Sequence, residues 1–399
     1  MSAPPPSLRD WFAALWALRL GGPRALWTLL RLWAGRSTRQ RQAAAALHRE
    51  RTRHRRQPRQ EPLRQLAPLL FEVDAGWLTP GPADGPRLAV TVVHLLGSGE
   101  IRYSPLSGLR RLCAEQPELA RCRHLVADTT HEAGAFLGAD EFSIRMGHTL
   151  APALADCPDT LVFAGLSCRA RTALELRTRP VSEHDRPVEV LACAAPLRCD
   201  YALPDTVRTL AALAPHMNLM ATVMARPSPL NPLLRSWLRR LFVMNTGIVL
   251  GELAMHTPQA LAWFGRYTED EPTIDICLRA LRELDLLVRV SDAELRHMVA
   301  GVAARAAEAE GVRMTACWGE DDAWVPPERC AARMGDAVAR QGVPEARYRI
   351  ASLAASNHGI GRQRDADYGA LAELFMEVCA RAAAADLATG EGSAHATGG

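Results

Sequence analysis

Three side chains in this 399-residue sequence have the types that acyl transfer needs. Ser167 lies in "TLVFAGLSCRARTALEL", where an apolar run breaks at a glycine and resumes as a helix-like stretch. A serine hydroxyl is a weak nucleophile; it needs a base to take its proton and an acid to orient that base. "WGEDDAWVPPERC" offers Asp321 and Asp322, and "SNHGIG" offers His358 in a glycine-bearing loop. Each of these segments follows a stretch that reads as strand. Taken singly, each residue reads equally well as an ordinary turn residue. Together, each just beyond a strand-like run, they point to chemistry.

The elements that would position them follow from the apolar pattern. "RLAVTVVHLL" (87–96), "RCRHLVADTTHEAG", "DTLVFAG", "RPVEVLACAAP", "GVRMTACWGEDD" and "ARYRIASL" are short apolar or β-branched runs separated by helical segments, after one or two strands in "LAPLLFEVDAGWL". Such a pattern predicts an α/β fold with a mostly parallel central sheet and helices on both faces. In that arrangement a tight strand–turn–helix pushes the Ser167 hydroxyl out at the carboxyl edge of the sheet, where ligands of open α/β sheets bind. The helix start behind it adds partial positive charge, and the Cys168 amide would point at a developing oxyanion. Residues 200–310 hold no convincing strand; their periodicity and their Asp, Asn, Pro and Ser starts predict a helical insertion.

Composition bounds the remaining classes. A hydrophobic content of 48% suits a large globular core, and the 47 basic residues are all arginine. Residues 1–70 carry fourteen arginines against Asp10, Glu50 and Glu61, a net of +11, so the overall +3 leaves 3 − 11 = −8 on the rest. The body is mildly acidic, which argues against nucleic acid as its partner. Ten cysteines without a CxxC pair read as reduced, buried thiols rather than a zinc site, and neither a metal nor an organic cofactor is expected.

Four of the nine tryptophans fall in the first 33 residues, on two amphipathic stretches, "SLRDWFAALWALRL" and "RALWTLLRLWAG". Arg19, Arg24 and Arg31 keep every apolar run short of the roughly 20 residues a bilayer span requires. Tryptophan beside arginine suits an anionic headgroup interface. The competing reading packs these helices on the domain itself or on a partner subunit.

With these residues in place, the sequence resembles the α/β-hydrolase superfamily over roughly residues 66–383. "LVFAGLSCRARTALEL" looks like that family's strand–elbow–helix segment. "WGEDDAWVPPE" is similar to its Gly-x-x-Asp-x-x-Val-Pro acid turn, which selects Asp322 over Asp321. "VVHLLGSGE" stands where the family has its His-Gly oxyanion loop, making Leu96 the second amide donor beside Cys168. The insertion falls where the family carries its cap. Two positions depart from the pattern: Arg169 occupies the place of a small elbow residue, and Leu95 follows His94 where a glycine is usual. Asp200, after the strand ending "CAAP", is the alternative triad acid.

The resemblance implies five segments: N-terminal helices and an arginine-rich arm (1–65), a first core part (66–199), a helical cap insertion (200–310), a second core part (311–383) and a disordered tail (384–399). It implies a serine hydrolase or acyltransferase acting on an ester or thioester with an apolar acyl group. The expected partners are that small-molecule substrate and an anionic membrane surface met by residues 1–60. The expected location is cytoplasmic, peripheral at the inner membrane surface. The competing class is a binding or scaffold protein that keeps the fold without the chemistry.

Overall fold

The computed structural model describes, apart from single positions, residues 62–79, 85–96, 102–128, 147–176, 188–197, 313–361 and 368–394, with short pieces at 232 and 292–300. The N-terminal arm, Asp200 and nearly all of the expected cap lie outside the described residues.

Eight strands form one sheet in the order β1-β2-β4-β3-β5-β6-β7-β8. They are β1 (Leu63–Ala67), β2 (Leu70–Val73), β3 (Val90–Leu95), β4 (Arg123–Ala127), β5 (Thr160–Leu166), β6 (Val188–Cys193), β7 (Arg313–Gly319) and β8 (Tyr348–Leu353). β1 pairs antiparallel with β2, and β2 antiparallel with β4. From β4 onward every pairing is parallel. The α/β class expected from the sequence, with a mostly parallel sheet, is therefore what the chain forms. The core begins at Leu63, slightly ahead of the boundary drawn at residue 66.

β3 and β5 are buried along their whole length, which is why they carry uninterrupted apolar residues rather than an alternating pattern. Alternate side chains still go to opposite faces. Val90 and Val92 join Leu106, Leu109 and Leu112 of α2 (Ser104–Glu115) and Leu371, Phe375 and Val378 of α5 (Tyr368–Ala394). Val93 and Leu95 join Ala170 and Leu174 of α3 (Cys168–Leu176) and Met334 and Val338 of α4 (Pro327–Arg340). A one-turn helix, α1 (Ala75–Leu78), follows β2 and is capped by the Asp74 carboxylate accepting from the Gly76 amide. The last helix runs on to Ala394, past the boundary at 384 where the sequence suggested a disordered tail.

α4 shows how local chemistry sets an element's ends. Pro327 opens it, Glu328 and Arg340 complement its dipole, and Gly342 closes it at φ 62°. The Val343 amide donates to Val338 and the Gly342 amide to Ala339, satisfying the last carbonyls.

At the amino edge the buried acids are matched by cations. Asp159 accepts from Thr91 at 2.5 Å and pairs with Arg87. Glu189 meets Arg381 of α5 at 3.3 Å, and the same guanidinium donates to Thr315 at 2.8 Å and to Glu377 at 2.7 Å. These bridges fix α5 across β6 and β7. The seven cysteines whose side chains are described are buried and unbridged, and burial pushes the Cys113 thiol up to about 12. They pack as small apolar groups. No helix among the described residues is long and apolar enough to cross a membrane.

Two buried histidines join neighbouring strands. His124 Nε2 donates to the Leu119 carbonyl at 2.7 Å, so its Nδ1 is left to accept from His94 Nε2 at 3.1 Å. Desolvation lowers the His124 pKa from 6.5 to about 4, against an opposing effect of the Leu119 carbonyl. A lowered histidine pKa means the unfolded chain binds the proton first. Stability is therefore expected to fall as pH drops from about 6.5 to about 4. Urea unfolding across that window should show a shallower pH dependence for His124→Gln; an unchanged slope would assign the loss to other groups.

Candidate active site

The parallel strands β5 to β8 point their carboxyl ends the same way, so the loops that leave them share one edge. Leu166, Cys193, Cys317 and Ala351 stand in register across the four strands. Ser167, Asp322 and His358 all follow within a few residues of that row.

Ser167 occupies the turn between β5 and α3 with no intervening loop. Its amide extends the sheet by donating to the Cys193 carbonyl at 2.8 Å, while its own carbonyl accepts from the Ala170 amide at 3.0 Å. One residue thus ends the strand and starts the helix, and it does so at φ 56°, a left-handed conformation uncommon for a residue with a side chain. The helix folds back so tightly that a Cβ at Gly165 would lie 2.5 Å from the Arg169 carbonyl carbon and 2.7 Å from the Ala170 amide nitrogen. The close helix–strand approach is secured two residues before the serine, and the Arg169 side chain is itself buried.

The turn after β7 separates the two candidate acids. Asp321 is exposed and Asp322 buried. Asp322 Oδ1 accepts from the Trp324 and Val325 amides, each at 2.8 Å, and its Oδ2 faces His358 Nδ1 at 2.9 Å. Three donors thus surround a carboxylate withdrawn from water, as a buried charge requires.

The loop after β8 is tied to that turn backbone to backbone. Asp321 donates to the Ser356 carbonyl at 2.9 Å and Glu320 to the Leu353 carbonyl at 3.0 Å. A Cβ at Gly319 would come within 2.5 Å of the Ser356 carbonyl carbon. Farther along, Gly361 at φ 71° rests on α2, where a Cβ at Gly108 would meet its carbonyl carbon at 2.8 Å. Between these anchors the Asn357 side chain accepts from the Gly359 amide, and His358 turns its Nε2 to 2.9 Å from Ser167 Oγ. The Trp324 ring stacks on the imidazole, with centroids 5.2 Å apart and planes at 24°.

With Nδ1–H donating to Asp322, His358 Nε2 is free to accept a proton from the serine. The relay can generate an alkoxide and protonate a leaving group. The Cys168 amide stands in the first turn of α3, whose N–H groups lack intrahelical acceptors. Leu96 follows β3, the strand beside β5, one residue past the Leu95–Gly165 pair. The Cys168 side chain and residues 97–100 lie outside the described residues. Among the described residues no three His, Cys, Asp or Glu side chains gather as a metal would require.

Sequence reasoning missed Gly165 as the packing residue and Trp324 as the neighbour of His358. Both were legible only as spacing, two before the serine and two after the acid.

No family model matches the chain, and no curated protein matches it. Among solved structures it is similar to a peroxisomal alpha-beta-hydrolase from Saccharomyces cerevisiae, with 11% identity over 81% of this chain and 83% of that one and a TM-score of 0.38. It is also similar to metagenomic epoxide hydrolases described as belonging to the alpha/beta hydrolases superfamily, with 15% identity over 79% and 98% of the two chains and a TM-score of 0.44. An alpha/beta hydrolase fold protein from Nakamurella multipartita shares 17% identity over 75% and 93%, with a TM-score of 0.36. The chemistry of the site rests on its own side-chain geometry.

The elbow geometry predicts that Gly165→Ala will not be tolerated. The added methyl must displace helix backbone rather than a flexible side chain, and a loss of about 3 kcal/mol in urea unfolding, the upper end for overpacking, is expected. A variant of parental stability would mean that α3 can move off β5.

Proposed function

We propose that this chain is a serine hydrolase or acyltransferase of the α/β-hydrolase superfamily, acting on an ester or thioester. The observation that supports it best is the continuous relay from Ser167 Oγ through His358 to Asp322, with both hydrogen bonds at 2.9 Å. In this reading Ser167 attacks the acyl carbonyl, and His358 takes the serine proton and passes it to the leaving group. Asp322 holds the imidazole in the right tautomer and stabilises the imidazolium. The Cys168 and Leu96 amides receive the oxyanion. Water, an alcohol or an amine then resolves the acyl-enzyme.

Asp322 is preferred to Asp321 because only the former is buried against the imidazole. The substrate's apolar acyl group is a further part of the reading. It draws on the helical insertion expected from the sequence over residues 200–310, as peripheral attachment to an anionic membrane surface draws on residues 1–60.

A fluorophosphonate probe tests the chemistry directly. Labelling of the full chain should be abolished by Ser167→Ala and lowered about 10⁴-fold in rate by Asp322→Asn, whereas Asp321→Asn should label at close to the parental rate. Labelling that survives Ser167→Ala places the nucleophile elsewhere; a folded chain that never labels supports the binding-protein class.

The membrane reading has its own measurement. Deleting residues 1–60 should release the protein from anionic vesicles and leave hydrolysis of a soluble short-chain ester unchanged, and binding by the full chain should weaken as salt shortens the screening length to about 10 Å at 0.1 M. Loss of soluble-ester activity on truncation would instead assign those helices to the domain's own packing.

A further inference from the structure

The triad reading accounts for the edges of the His358 ring and leaves its face unexplained. That face is covered by Trp324, a half-buried indole held between the two apolar clusters on either side of the sheet. The placement is fixed twice over. The Trp324 amide donates to Asp322 Oδ1, and Val325 next to it is buried, so the backbone that carries the indole belongs to the acid turn itself.

We infer that Trp324 is a positioning residue for the proposed reaction, holding His358 between its two hydrogen bonds and stabilising the imidazolium through the indole face. The inference rests on the serine hydrolase reading above. Proton transfer from Ser167 makes His358 cationic while substrate screens the site from water. An aromatic face presented to a cation is attractive, tryptophan most of all, and the attraction grows on desolvation. The stack therefore binds the charged state of the ring more strongly than the neutral one, which is the difference that lowers a barrier. It also blocks rotation of the ring out of the plane shared by Ser167 and Asp322.

Other charges around the imidazole have assigned places. Asp322 holds Nδ1, and Asp321 and Glu320 of the same turn face solvent. The elbow carries Ser167 and the buried Arg169, the end of β6 carries the Cys193 thiol beside Cys317, and β3 carries His94. On α2, which supports the loop at Gly361, the Arg110 and Arg111 guanidiniums lie over Trp77 and Tyr368.

Replacing the ring tests the two roles apart from backbone geometry, because the amide donated to Asp322 is retained in every variant. Trp324→Leu should lower kcat on a soluble short-chain ester roughly tenfold with KM little changed, and move the acid limb of kcat/KM about one pH unit lower. The direction discriminates: losing support for the imidazolium moves the limb down, whereas merely admitting water to a buried imidazole moves it up. Trp324→Phe, with the weaker quadrupole, should fall between and keeps the test available if the leucine variant does not fold.

An NMR titration of the His358 imidazole in the full chain, its signal identified by loss in His358→Gln, gives the same reading without turnover. A downward shift in Trp324→Leu there, even in a protein that cleaves no ester, supports the stack while removing the hydrolase reading. An upward shift, or none, overturns the inference.

Discussion

Everything at this site depends on one close contact, the approach of the α3 backbone to the β5 backbone at Gly165. A strand that runs into a helix through a single left-handed residue must fold back on itself within one turn, and the helix then lies against the last strand positions. Only a residue without a side chain fits there. The local strain at Ser167 is held because its amide and carbonyl are both committed, one to β6 and one to the helix. The outcome is a hydroxyl at a fixed point on the carboxyl edge, beside the amino end of a helix dipole.

The partners reach that point by a second set of backbone contacts. The acid turn and the histidine loop are stitched together before either meets the serine, through Asp321–Ser356 and Glu320–Leu353 and through the space that Gly319 leaves. Asp322 and His358 therefore form one rigid unit on β7 and β8, and Ser167 belongs to another on β5. The parallel sheet, with β6 between them, sets the distance from one unit to the other. A one-residue slip in any pairing would turn alternate side chains to the wrong face and separate the relay.

Burial divides the charged groups by task. At the amino edge, Asp159 and Glu189 are matched by arginines and hydroxyls and serve to lock elements together. At the carboxyl edge Asp322 is satisfied by two amides and an imidazole, donors that leave its orientation of His358 intact. A guanidinium in that position would have competed with the ring for the carboxylate.

The sequence by itself determined the class of fold, because fully buried parallel strands must be continuously apolar and so announce themselves in "TLVFAGL" and "VTVVHL". It also determined the order of Ser167, Asp322 and His358 and their positions just after strands, since turn chemistry is local. Its boundary for the tail missed the extension of α5, for helix ends follow packing and capping more than composition. Only the tertiary structure separated an exposed Asp321 from an Asp322 buried against the imidazole: adjacent residues of like chemistry differ in which way the turn points them. It also decided that the Arg169 side chain is buried behind the elbow and that Trp324 lies on the imidazole. Those three outcomes depend on backbones from strands far apart in the chain, and spacing along a sequence carries no record of which of them touch.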